Sequence, residues 1–262
     1  MEQIALGIFR EIQHSPDRES DDYAILRAAA SKLESSGVTV LLKTPEEVLA
    51  GKEQFMRYPP ALVFAMCERE NILALLSEWE SHGVKVVNST RAVMNTYRYR
   101  MVPLLEKKQI PVPRSLLMST DSADGAARFL DGQPGCWIKR GDVHNTQKGD
   151  VTLCSSLSEI ETRFKSFRER GISQAVLQEN APGDLIKFYG VSAAKNQHYQ
   201  DFWYKWFYHK EQQLKNHPFS EKDLAALISR AAHCVDLEIF GGDAIIGKSG
   251  SIKIIDVNAW PS

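Results

Sequence analysis

Two carboxylates and an amide oxygen stand where the sequence turns a hairpin. Asp243 opens the apolar run Asp243-Ala-Ile-Ile246, and Gly247-Lys-Ser-Gly250 breaks it. A β-branched run, Ile252 to Ile255, then delivers Asp256 and Asn258. A turn-rich tetrapeptide between two apolar runs reads as a hairpin loop. Residues two apart on a strand share a face, so Asp256 and Asn258 point the same way. Three hard oxygen ligands in this arrangement suit Mg²⁺, which keeps some waters and completes its shell from phosphates. The expectation is a magnesium–nucleotide site at this hairpin, with Asp243, Asp256 and Asn258 as metal ligands. A solvated turn is the competing reading, and it fits Asp243 better than the Asp256/Asn258 pair.

The composition is that of an ordinary folded chain: 262 residues, 43% hydrophobic, 25% charged, formal net charge −1. That length allows one large or two small domains with a proper core. There is no basic excess for a nucleic-acid partner. Cys67, Cys136, Cys154 and Cys234 lie far apart, which suggests neither a disulfide framework nor a metal site, so a reducing cytoplasm is expected. No signal-like N-terminus and no run of 18 apolar residues is present, so no membrane association is expected. A homo-oligomer is possible but not indicated.

Strands and helices alternate through the first part of the chain. Strands are expected at Ile4–Phe9, Val38–Leu42, Ala61–Met66 and Lys85–Val87. Helices are expected after Ser20, at Pro45–Leu49 and around Ile72–Trp79. This spacing argues for a small parallel α/β sheet. The loop His14–Ser20 then falls where an open α/β sheet offers a ligand crevice, bringing His14 and Arg18 into consideration against a plain solvated connection. One long helix is expected from a cap at Asn88-Ser89 through Leu105, ended by Ile110-Pro-Val-Pro113. Beyond it, strands and helices mix, and Tyr199–His209 reads as an aromatic strand. That strand packs between subdomains or forms a wall beside a substrate, with Lys205 or His209 at its polar edge.

Four stretches in order resemble the ATP-grasp superfamily across residues 85 to 262. They are Val87-Asn88-Ser89 with its helix and Ile110–Pro113; Trp137-Ile-Lys139; Val176-Leu-Gln-Glu-Asn180 followed by Lys187; and Gly242-Asp243 with Asp256-Val-Asn258. The resemblance implies a fold with a parallel-sheet domain over residues 1–88 and an ATP-grasp domain of two α+β subdomains over 89–262. The central lid subdomain would cover about 114–180 and the metal-binding one about 181–262. It implies ATP and Mg²⁺ as cofactors and a small-molecule acceptor as partner. Lys139 and Lys187 would meet phosphates, while Gln178, Glu179 and Asn180 would form the hinge that reads adenine and ribose. Arg98 would reach phosphate, with Arg100 as the competing residue, because Tyr97-Arg98-Tyr99-Arg100 replaces the usual acidic–basic dipeptide.

The loop after Lys139, Arg140–Gly149, has only two glycines where many of these ligases have a glycine-rich lid. With His144 and Thr146 it is similar to the lid of the inositol polyphosphate kinases of this superfamily, as is the closing Ile255-Asp-Val-Asn-Ala-Trp-Pro261. His144 would then lie near nucleotide and substrate. The family usually continues past the metal asparagine, so the missing loop is either supplied differently or lost by truncation after Ser262. The leading functional expectation is a ligase that activates a carboxylate as an acyl phosphate. A kinase acting on a hydroxyl and a non-catalytic ATP-binding module are the alternatives.

Overall fold

The computed structural model describes residues 4–143, 146–192 and 202–261. The chain begins with β1 (Ile4–Ile8), α1 (Glu19–Ser35), β2 (Thr39–Lys43), α2 (Pro45–Ala50), α3 (Lys52–Arg57), β3 (Leu62–Ala65), α4 (Glu70–Ser81) and β4 (Lys85–Val87). The four strands form a parallel sheet in the order β2-β1-β3-β4, as the alternating pattern predicts. Acids Glu19, Asp21 and Asp22 sit in the first turn of α1, where the helix dipole favours them. Thr44 and Glu47 close a capping box on α2 with Pro45 in the first turn. Gly37 and Gly83, at φ +84° and +90°, take the left-handed conformation that stops α1 and α4. Leu6, Ile8, Val63, Ile72, Leu76 and Trp79 fill one face of the sheet. The other face joins a larger core.

The long helix expected from Ser89 is two helices, α5 (Thr90–Asn95) and α6 (Arg98–Lys107). The break is at Tyr97, which is extended (φ −59°, ψ 126°) because its surroundings claim it. Its phenol donates to the Glu68 carbonyl at 2.5 Å, and the amides of Arg98 and Tyr99 donate to the Asp142 and Gly141 carbonyls. Ser89 caps α5, accepting from the Ala92 amide. Asn88 does something else. Its amide group donates to the Ile239 carbonyl at 2.7 Å and accepts from the Glu238 and Ile239 amides at 2.7 and 2.9 Å. This buried side chain thus ties the end of the parallel sheet to the segment that carries Asp243.

The central sheet contains β5 (Ser115–Ser119), β6 (Cys136–Arg140), β7 (Val151–Cys154) and β8 (Gln174–Glu179), antiparallel in the order β5-β8-β6-β7. Helices α7 (Ala126–Leu130) and α8 (Leu157–Glu169) cover one face, with Phe164 and Phe167 buried against Ile138 and Leu177. Cys136 and Cys154, distant in sequence, are directly opposed across β6 and β7 as buried free thiols. The last sheet has β9 (Asp184–Ser192), β10 (Phe202–Tyr208), β11 (Ile239–Ile246) and β12 (Ile252–Ala259), antiparallel in the order β10-β9-β11-β12. Helix α9 (Glu221–Cys234) packs on it through Leu224, Ile228 and Ala231. One core runs from Ala5 and Phe64 through Met101 to Phe188 and Val257, joining the first and last sheets through α5 and α6.

The Asn88 clamp makes a direct prediction. Asn88→Ala strands one carbonyl and two amides in a buried place, and should lower unfolding stability by about 3 kcal/mol, measured by denaturant titration. A loss within experimental error would contradict the clamp.

Candidate functional site

The hairpin forms as expected, with one extra residue that decides its chemistry. Asp243 pairs with Asp256, but Ala244 pairs with Ile254, leaving Ile255 as a bulge. Ile252 and Ile254 face the core before the bulge, Val257 and Ala259 after it. A one-residue bulge reverses the alternation, so Asp256 and Asn258 turn to the face opposite those isoleucines. Asp243 joins them, because its neighbours Gly242 and Ala244 point inward. The register continues across the sheet: Asp256, Asp243, Lys187 and Phe207 form one row, and Asn258, Gly241, Tyr189 and Lys205 the next.

Three cations answer the two carboxylates. Arg98, almost fully buried at the start of α6, donates to Asp256 Oδ2 at 2.6 Å and to the Val143 carbonyl at 3.2 Å. Arg100 instead lies exposed, stacked by its neighbour Tyr99. Lys139 comes from β6, with its Nζ donating to the Ile255 carbonyl at 3.0 Å. Lys187 is opposite Asp243 on β9. Burial pushes the Lys139 ammonium down to about 8, while Asp256 and Asp243 oppose the shift. Burial also raises the Asp243 carboxyl; Asp256 adds to the rise, and Lys187 and Lys139 work against it.

The residues expected to form the hinge are engaged. Glu179 Oε1 pairs with Lys253 Nζ at 2.6 Å, Asn180 Oδ1 accepts from the Trp137 indole at 3.0 Å, and Gln178 donates to the Ser115 hydroxyl at 3.2 Å. Lys253 was not singled out in the sequence, although its place between Ile252 and Ile254 puts it on the site face. A cavity of about 520 Å³ opens beside the hinge, lined by Pro182, Ile245, Lys248, Ser251 and Lys253 among others. The loop after Lys139 is anchored by Asp150, which accepts from the Thr146 and Gln147 amides and pairs with Arg140 and Arg170. These bonds hold the Asp150 carboxyl down at about 2. His144 lies outside the described residues.

At the crevice of the parallel sheet, sequence reasoning named His14 and Arg18 but missed the buried charges. Arg10 pairs with Asp22 and Glu68 at 2.9 Å each, and reaches the Pro261 carbonyl at 3.5 Å. His14 Nδ1 is 3.5 and 3.7 Å from Glu11 and Glu68. Arg18 is exposed and pairs with Asp21.

The donor set fits a divalent cation. Asp243 Oδ1 is buried and accepts no hydrogen bond among the described residues, and the facing Asp256 repels it. Among the described residues no group of three or more His, Cys, Asp or Glu gathers. Two carboxylates and the Asn258 amide are instead the partial shell expected of Mg²⁺ shared with phosphate oxygens.

The overall arrangement is the ATP-grasp fold. A Coxiella burnetii D-alanine–D-alanine ligase superposes with a TM-score of 0.72 at 13% identity, covering 99% of this chain and 86% of the other. The ATP complex of the Bacillus anthracis D-alanine–D-alanine ligase gives 0.69 at 12%, covering 100% and 87%. The ATP-grasp ligase PsnB with a minimal precursor gives 0.62 at 16%, covering 100% and 92%. No protein-family model matches the chain, and no curated protein matches it in sequence.

Lys139 gives a prediction with opposite signs for stability and binding. With the folded ammonium at about 8 against an ordinary 10.5, the unfolded chain holds a proton that the folded chain has released between those values. Stability contributed by this group therefore rises with pH across that window and is absent below it. Lys139→Met should lose the rise, gain about 1–3 kcal/mol at pH 7, and bind ATP at least about tenfold more weakly. Thermal melts across pH and nucleotide titration check both. An unchanged pH profile or undiminished ATP binding would contradict the placement.

Proposed function

We propose that this chain is an ATP- and Mg²⁺-dependent ligase that activates the carboxylate of an acceptor as an acyl phosphate. The observation that carries the reading is the convergence of Lys139, Arg98 and Lys187 on the in-register pair Asp243/Asp256. These segments come from different elements, and three positive charges against two negative ones leave an excess suited to a triphosphate. The D-alanine–D-alanine ligases and PsnB, which share the fold, support the same class of chemistry.

Asp243, Asp256 and Asn258 would hold the metal, which when bound offsets charge on the β- and γ-phosphates. Lys139 and Lys187 orient phosphate oxygens as fixed point charges, and Arg98 holds the Asp256 carboxylate in place. The hinge Gln178–Asn180, beside the cavity at Pro182, would take the adenosine end. An acceptor carboxylate oxygen attacks the γ-phosphorus, the bond to the β-phosphate oxygen breaks, and ADP leaves. An amine nitrogen or other nucleophile then attacks the acyl carbon, phosphate departs, and the nucleophile loses its proton. The protein's part is positioning and electrostatics. In this reading residues 1–88 contribute acceptor contacts, and residues 89–262 the nucleotide subdomains at about 114–180 and 181–262. Four unpaired thiols suit a reducing cytoplasm.

The kinase alternative retains one support, the closing Asp256-Val-Asn-Ala-Trp-Pro261 and the loop carrying His144, which are similar to the inositol polyphosphate kinases. Incubation with ATP, Mg²⁺ and pooled carboxylates and polyols, with hydroxylamine as trap, separates the two. ADP with a hydroxamate is expected; ADP with a stable phosphorylated alcohol would replace the ligase by the kinase. Asp256→Asn should abolish turnover with an unchanged circular dichroism spectrum, and retained turnover would remove Asp256 from the metal site.

A further inference from the structure

The outward face of β10 is not explained by nucleotide chemistry. Its residues alternate: Phe202, Tyr204, Trp206 and Tyr208 pack against the core, while Trp203, Lys205 and Phe207 face out. Trp203 is 55% exposed, Phe207 37%, and Val191 on the next strand 45%. Tyr189, opposite Lys205 in the register, brings its ring to 5.5 Å from that of Phe207. Single exposed apolar residues are ordinary, but a contiguous patch of aromatic rings marks a binding surface.

The register says which surface. Phe207 lies in the row of Lys187, Asp243 and Asp256, and Lys205 in the row of Tyr189, Gly241 and Asn258. With strands about 4.8 Å apart, the aromatic strip begins about 10 Å from Asp243 on the same face. Cations mark the path between them: Lys187 beside Asp243, and Lys205 with its ammonium 5.9 Å from the Trp203 ring. Burial raises the Tyr189 phenol; Asp243 and Asp21 add to the rise and Arg18 works against it.

We propose that the strip Tyr189–Phe207–Trp203, edged by Lys187 and Lys205, binds the body of the acceptor, and that the acceptor is a carboxylate bearing an aromatic or bulky apolar side group. This rests on the ligase reading for the carboxylate, and on the exposed rings for the side group. A carboxylate directed by Lys187 toward the phosphates leaves a small acceptor short of the strip. A phenyl ring two or three bonds further on covers the near end of it, at Phe207 and Tyr189; Trp203, four residues along β10, lies about 13 Å farther and meets only a longer side group. Trp203 and Phe207 then set specificity, since removing an apolar wall discriminates between substrates by about ten- to two-hundredfold.

The test uses the full chain with Mg²⁺ and ATP, and four probes: 3-phenylpropionate, L-phenylalanine, propionate and L-alanine. The aromatic probes should release ADP with KM at least about tenfold below the small ones. Phe207→Ala should erase that preference without changing the Kd for ATP, and Phe207→Tyr should restore most of it. Equal KM values for aromatic and small probes, or a preference that survives Phe207→Ala, would overturn the proposal. If no probe releases ADP although ATP binds, the ligase reading fails and the strip is judged by binding alone. Saturable quenching of tryptophan fluorescence by the aromatic probes, absent from Phe207→Ala, would uphold it. No such quenching would overturn it.

Discussion

Asp243 and Asp256 face each other in register on neighbouring strands, and their mutual repulsion organises the rest of the molecule. Two carboxylates this close, with Asp243 raised by burial, need positive charge nearby. Arg98 supplies it from α6, Lys139 from β6 and Lys187 from β9, so three separately folded segments must arrive together. Arg98 can arrive only because the helix breaks at Tyr97, where the amides of Arg98 and Tyr99 bond the loop that follows Lys139. Arg98 and Asp256, buried against each other, are each costly alone, so removing one member of that pair is usually more damaging than replacing both, whereas the Lys139 ammonium is itself penalised by its burial. The pocket is thus electrostatically coupled across all three sheets.

The N-terminal sheet participates through two latches. Asn88 clamps the backbone at Glu238 and Ile239, just before the strand that carries Asp243. Arg10, held by Asp22 and Glu68, reaches the Pro261 carbonyl just beyond the strand that carries Asp256. Trp260 between them is buried with φ at +68°, a left-handed turn uncommon outside glycine. The ends of both acidic strands are therefore fixed by groups from the first 90 residues.

Much of this was legible in the chain. Alternation gave the parallel sheet, because β1, β3 and β4 are short apolar runs separated by helices with caps and glycine stops. Lys139 is buried at the end of the apolar stem Cys136-Trp-Ile, a pattern that suits an inward lysine, and the two-residue spacing of Asp256 and Asn258 placed them on one face. The bulge was present as a broken alternation, Ile254-Ile255, but adjacent isoleucines also suit a strand buried on both faces. The helix break was illegible since Tyr97-Arg98-Tyr99-Arg100 carries no glycine or proline; tertiary hydrogen bonds impose it. Asn88 read as a cap because nothing local distinguishes a cap from a clamp whose partners lie some 150 residues away. The opposition of Cys136 and Cys154 required the β6–β7 pairing, which spacing does not specify.

The central claim is that the Asp243/Asp256 pair holds a cation shared with phosphate. It is tested most directly by calorimetric titration of ATP in excess Mg²⁺ and in EDTA, on the native chain and on the double variant Asp243→Asn, Asp256→Asn. The account predicts at least about tenfold tighter binding with Mg²⁺ for the native chain, and no such difference for the double variant. Equal affinity in both buffers, or a metal dependence that survives the double substitution, would contradict it.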